Sequence, residues 1–107
     1  MIGGLRLEPE ASAELEDAAA WDESQEPGLG MEFLQTVEAS LERIIQWPHL
    51  GRRVPGMPDD IPSYRVPLNR FPYHIVYLDW DSVIRIVALA HDRREPGSWL
   101  SRIRSIT

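Results

Sequence analysis

The side chains of this 107-residue chain best suited to chemistry fall between Tyr64 and Arg94. His91 can act as an acid or a base, because histidine is the side chain that changes charge near neutral pH. Arg70 and Arg94 supply fixed positive charge, and Tyr64, Tyr73 and His74 lie close enough in sequence to assist. Cutting RNA through its own 2′-hydroxyl asks for such a set: a base, an acid for the leaving oxygen, and cations to hold the phosphorane. Arginine's fork suits phosphate, but its high pKa makes it a poor proton carrier. A nuclease site would therefore rest on His91 or His74, with Arg70 and Arg94 as electrostatic partners. The same residues serve equally to tie strand ends together or to receive a partner's carboxylate, because structural ion-pair networks gather the same residue types.

A second group reads as contact surface. Arg52, Arg53, Arg65, Arg85, Arg93, Arg94, Arg102 and Arg104 could form an arginine-rich face, with Trp99 and Tyr64 available for stacking. Within it, Arg65, His74, Arg85, Arg93 and Trp99 are the expected contacts to a target or partner. Three scattered histidines and no cysteine do not make a metal constellation, so no metal and no cofactor are expected. The chain has no glycine-rich phosphate loop, nucleophile elbow or His-Glu-x-x-His motif. Asp79 and Asp81 flank a turn and read as solvated turn residues. Trp80 at its tip is either a partner contact or a cap on the sheet.

The net charge of −6 conceals a division. Residues 1–42 carry eleven acids and one arginine, for −10; residues 43–107 carry ten arginines and six acids, for +4. There is no lysine. One half should repel polyanions and the other could receive them, unless the acids are simply solvated helix faces. The N-terminus lacks a signal-peptide core and no apolar run approaches a membrane span, so a cytoplasmic protein without membrane contact is expected.

Those candidates must be positioned by secondary structure. Tyr73–Leu78 and Val83–Ala90 are β-branched and aromatic runs around a polar turn, the pattern of a β-hairpin. Pairing Asp79 with Ser82 sets Leu78 against Val83, Val76 against Arg85 and His74 against Val87, and brings Arg70 opposite His91. One face then carries Tyr73, Ile75, Tyr77, Ile84, Ile86, Ala88 and Ala90 as core. The other carries His74, Val76, Leu78, Val83, Arg85, Val87, Leu89 and His91.

Ile2–Leu7 is a plausible first strand. Glu8-Pro9-Glu10 opens a helix whose narrow apolar stripe is Ala11, Leu15, Ala18 and Ala19, with Trp21 expected to cover an edge of the core. After Glu26-Pro27-Gly28, the spacing of Phe33, Val37, Leu41 and Ile44 predicts a second helix that stops at Trp47, before Pro48. Residues 49–63 are too rich in proline and glycine for regular structure over most of their length. Tyr64-Arg65-Val66 resumes as a short strand, and residues 98–104 can form a short C-terminal helix. The expected fold is α+β: a small antiparallel sheet of about four strands in the order β-α-α-β-β-β, with an N-terminal helical hairpin packed on one face, in a single domain over residues 1–107.

The ordered series resembles the RelE/ParE superfamily of toxins from bacterial type II toxin–antitoxin pairs, and most of all its ParE-like, "plasmid stabilisation" branch. The residues that carry the likeness are Pro27-Gly28-Leu29-Gly30, Trp47-Pro48-His49-Leu50-Gly51, Arg65-Val66, Arg70-Phe71-Pro72-Tyr73-His74-Ile75-Val76-Tyr77, Ile86-Val87-Ala88-Leu89-Ala90-His91-Asp92-Arg93-Arg94, Pro96-Gly97 and Trp99. The resemblance implies a growth-inhibiting toxin neutralised by a cognate antitoxin in a hetero-oligomer. In the ParE-like branch the target is DNA gyrase; in the RelE-like branch the toxin is a ribosome-dependent mRNA endoribonuclease. The absence of lysine and the acidic balance depart from the nuclease pattern. The expectation is a ParE-like toxin that acts by binding. The alternatives are a metal-independent endoribonuclease using His91, Arg70 and Arg94, and an inactive member serving only as a protein-binding module. All three assume that the cation-bearing face of the sheet opposite the helices is open to a larger partner.

Overall fold

The computed structural model of the chain describes residues 4–94 and 97–107. Its elements are β1 (Leu5–Leu7), α1 (Pro9–Gln25), α2 (Leu29–Gln46), β2 (Arg52–Arg53), β3 (Ser63–Pro67), β4 (Tyr73–Trp80), β5 (Val83–His91) and α3 (Gly97–Ile106). The expected start of the first strand at Ile2, and Glu95 and Pro96, lie outside the described residues. No helix among the described residues is long and apolar enough to cross a membrane.

The α+β architecture and the helical hairpin are as the pattern predicts, with two refinements. The sheet has five strands, ordered β1-β5-β4-β3-β2, because Arg52–Arg53 in the turn-rich segment forms a two-residue edge strand against β3. It is mixed rather than wholly antiparallel, since β1 runs parallel to β5. Patterning identifies a strand but not the direction of its neighbour, which depends on where the rest of the chain returns.

Pro9 sits in the first turn of α1, where its missing N–H leaves no bond unmade. The connection to α2 is tight. The backbone N–H groups of Gly28 and Gly30 both donate to the Glu23 carboxylate at 3.1 Å. A Cβ on Gly30 would stand 2.8 Å from the Ala19 carbonyl oxygen, so only glycine allows this approach of the helices. Phe33, Val37 and Ile44 of α2, with Ala11 and Ala18 of α1, close over Tyr64, Val66, Ile75, Tyr77, Ile84, Ile86 and Leu89. Phe33 meets Phe71 and Tyr73 edge-on, with ring centroids 5.2 and 5.5 Å apart. Burying that one ring contributes about 2–3 kcal/mol.

The β4–β5 hairpin departs from the predicted register in two steps. Its loop is Asp81-Ser82 alone, both residues at positive φ (57° and 62°), and Trp80 faces Val83. Positive φ at both positions is the two-residue turn whose twist matches that of the strands. This moves the pairing by an even number of residues and leaves the faces unchanged. A bulge follows between Val76 and Tyr77: Tyr77 faces Ile86, but Val76 faces Ala88. The extra residue, Val87, exchanges the faces of β5 beyond it. Leu89 therefore joins the core under the helices, while Ala88 and Ala90 turn to the other side. His91 stands opposite Tyr73, not Arg70.

The reverse of the sheet is covered. Trp99 and Ile103 of α3 are buried against Val76, Leu78, Val87, Ala88 and Ala90, with Val54 completing the layer. A face bearing Val76, Leu78 and Val87 is too apolar to stay wet, and Trp99 and Ile103, one helical turn apart, supply its lid. The expected open cationic face is thereby corrected, and a partner must meet the molecule on another surface.

Candidate functional site

His91 and Arg94 do come together. They line a shallow depression of about 240 Å³ with Glu14, Asp17, Ala18 and Trp21 of α1 and with Tyr73 and Leu89 of the sheet. The end of β5 places His91 against Tyr73, edge to face at 5.2 Å. The next turn folds back on the ring: the Arg93 backbone N–H donates to His91 Nδ1 at 3.1 Å, and the Arg94 N–H donates to the His91 carbonyl at 2.9 Å. With Nδ1 accepting, the ring proton of neutral His91 resides on Nε2, so the imidazole is a donor there and its lone pair is occupied. That is the wrong disposition for a general base.

Glu14 is the electrostatic centre of this end of the molecule. Its carboxylate receives Arg102 through both terminal nitrogens (2.9 and 3.1 Å), Arg94, and the Leu89 backbone N–H at 3.2 Å. Burial by itself pushes the Glu14 carboxyl up. The hydrogen bonds from Arg102 and Arg94, the charge of Arg102 and the Leu89 N–H outweigh it, and hold the group below its ordinary value. Arg102 also donates to the Val87 carbonyl at 3.0 Å. One carboxylate thus joins α1, α3, the β5 edge and the loop after β5.

The other expected site residues are dispersed. Arg70, in a left-handed backbone conformation (φ 73°), pairs with Glu32 of α2 at 3.5 Å and lines a separate depression with Asn69 and Arg43. It does not meet His91. Arg85 lies on the α3 side and pairs with Glu8 at 3.5 Å. His74 is only 7% exposed, with Nδ1 3.1 Å from Asp92 Oδ1, and Trp99 is 1% exposed. Neither His74 nor Trp99 is a surface contact, because both belong to the face that α3 seals. Arg65 and Arg93 are exposed, Arg65 directly opposite Arg52 at the β2 edge.

Three features lie outside the sequence reading. Asp22 is 8% exposed, and its Oδ2 has no hydrogen-bond partner among the described residues. Burial raises its pKa, and its charge, after burial itself, helps raise that of Tyr73. A signal existed: Asp22 continues the stripe of Ala11, Leu15 and Ala18, where an unpaired carboxylate is out of place. Glu14 gave none, since its partners are 75 to 88 residues away. The third is a column of rings, His49 on Tyr64 at 5.2 Å and Tyr64 on Tyr77 at 5.4 Å. His49 Nε2 lies 3.0 Å from Asp79, so Asp79 is more than a solvated turn residue. Trp21, expected to cover the core, is 61% exposed.

Of the two carboxylates that line the His91 depression, Glu14 is engaged by both Arg94 and Arg102, whereas Asp17 has no ion pair among the described residues.

The family model described as the ParE toxin of the type II toxin–antitoxin system parDE matches residues 5–96, and the chain belongs to this family. It is a type II toxin of the RelE/ParE superfamily. Two solved structures share the fold. A chain of the chromosomal ParDE system from P. aeruginosa has a TM-score of 0.70 at 15% identity, over 84% of this chain and 96% of that one. The isolated E. coli RelE toxin has a TM-score of 0.60 at 19% identity, over 96% and 97%. No curated protein matches the sequence.

Proposed function

We propose that this toxin acts by binding a macromolecular target, DNA gyrase in the ParE manner, and that a cognate antitoxin neutralises it by occupying its surface. The observation that carries this reading is the dispersal of the acid–base set. Arg70 is engaged by Glu32 and Arg94 by Glu14 on different surfaces, and His91 faces carboxylates with its Nδ1 lone pair occupied. A phosphorane needs cations converging on one point, and these residues do not converge.

The test is induced expression in bacteria. Growth arrest with an SOS response and stabilised gyrase–DNA cleavage complexes is expected. His91→Ala and Arg70→Ala should leave toxicity within about twofold, because a group outside the reacting centre contributes nothing to transition-state binding. Cut transcripts abolished by either substitution would overturn the proposal in favour of the endoribonuclease. Growth unaffected by the folded wild-type protein would leave only the protein-binding module.

A further inference from the structure

We infer that the depression between α1 and the end of β5, closed by Arg94, is a receptor for one arginine side chain of the neutralising partner. The inference rests on the reading that a partner protein covers this toxin. It adds the place and the chemistry of one anchor.

Four observations converge. The lining sets the carboxylate of Asp17 beside the rings of Trp21, Tyr73 and His91, with Arg94 on the same lining neutralised by Glu14, a mixture of negative charge and aromatic surface that suits a planar cation. Asp17 has no ion pair among the described residues, unlike Glu14 beside it. Further along α1 is Asp22, over nine-tenths buried, with Oδ2 unpartnered among the described residues. It follows Ala18, which lines the depression, by one helical turn, on the same face of α1. A buried acceptor without a donor is stabilised by whatever brings one.

The third observation is Trp21, whose indole stands in solvent at the rim, where exposure of so large an apolar surface has no folding benefit. The fourth is the setting. Glu10, Glu16, Asp17, Glu23, Glu26, Glu32, Glu38 and Glu42 all lie exposed on or beside the helical hairpin, and Glu32 is the member of this set with an arginine partner among the described residues. That field draws a basic segment toward α1 and opposes an acidic one.

Size and geometry select the occupant. At about 240 Å³ the depression is smaller than the roughly 300–1,000 Å³ of small-molecule sites, and it accepts one side chain rather than a helix. Guanidinium is favoured over ammonium because it stacks on an indole and presents several donors in a fixed fork to carboxylates.

The full-length protein, labelled with 15N, is titrated with N-acetyl-arginine amide at pH 7. The isosteric neutral N-acetyl-citrulline amide and N-acetyl-lysine amide are controls. The Trp21 indole N–H and the backbone amides of Asp17, Asp22, Tyr73 and His91 are expected to shift and saturate, with citrulline bound about tenfold more weakly or worse. Asp17→Asn should weaken arginine binding by a similar factor. Trp21→Ala should do so too, and its exposed site ensures a folded control. Equal shifts with citrulline, shifts confined to other surfaces, or unchanged binding by both variants would overturn the inference, and equal binding of the lysine amide would overturn the choice of guanidinium. Growth assays separate this outcome from the functional reading. A toxic wild type that binds no arginine amide defeats this inference alone, and a harmless wild type that binds it defeats the toxin reading alone.

Discussion

Glu14→Gln is the substitution that most directly probes how the ends of this fold are held. Gln keeps the length of the side chain and one carbonyl acceptor, so the Leu89 N–H retains a partner while Arg102 and Arg94 lose their counter-charge. Removing one member of a buried pair costs about 3–5 kcal/mol. The Arg94 arm must be discounted, because its side chain is 43% exposed and such pairs are worth about 0–1 kcal/mol. The Arg102 arm, with 19% and 15% exposure of its two partners, retains most of its value. We expect a loss of about 2–3 kcal/mol at pH 7 in guanidinium unfolding followed by circular dichroism. In a domain of this size that corresponds to a fall in Tm of about 10–20 °C.

The pH dependence sharpens the test. The folded-state pKa of Glu14 is depressed below its ordinary 4.5, so the native state binds its proton more weakly than the unfolded chain. The contribution is fully present above that ordinary value and is lost as pH falls through the folded pKa. The gap between wild type and Glu14→Gln should be flat from pH 8 to 6 and should close as the solution is acidified below about 4.5. A variant within about 0.5 kcal/mol of wild type at pH 7, which is the scatter of ordinary surface changes, would refute the argument. So would a gap that stays constant into acid.

Two further outcomes follow from the β4–β5 hairpin and its lid. Replacing Asp81-Ser82 with Asn-Gly should stabilise the protein by about 0.5–1 kcal/mol in thermal unfolding, since both positions hold positive φ that Asn and Gly adopt with least strain. A loss of stability would show that the turn is not of this type. Trp99→Ala should cost about 3–5 kcal/mol and speed hydrogen exchange of the α3 amides, because it empties the centre of the reverse-face core. Unchanged α3 protection would mean that the helix is held by Arg102 alone.

Much of the fold was written locally. Apolar residues at helical spacing marked α2 to within a residue of its end at Gln46, and the β-branched runs marked β4 and β5. Pro27-Gly28 and Pro48 acted as stops through backbone sterics that need no tertiary context. The site was legible only in part. His91 and Arg94 share a depression because only two residues of chain separate them, whereas the pairing of Arg70 with His91 rested on a register that a two-residue turn and one bulge displaced.

Composition and periodicity by themselves determined that this chain makes two acidic helices and a small sheet with a helix to follow, since those signals arise from each residue's own preference and its nearest neighbours. Only the tertiary structure decided which carboxylate holds which arginine, that Val87 would turn His91 toward the helices, and that α3 would close the reverse face. Contacts between Glu14 and Arg102, 88 residues apart, depend on where the whole chain returns. No local pattern carries that information, because an ion pair's energy is set by a distance that the intervening fold alone defines.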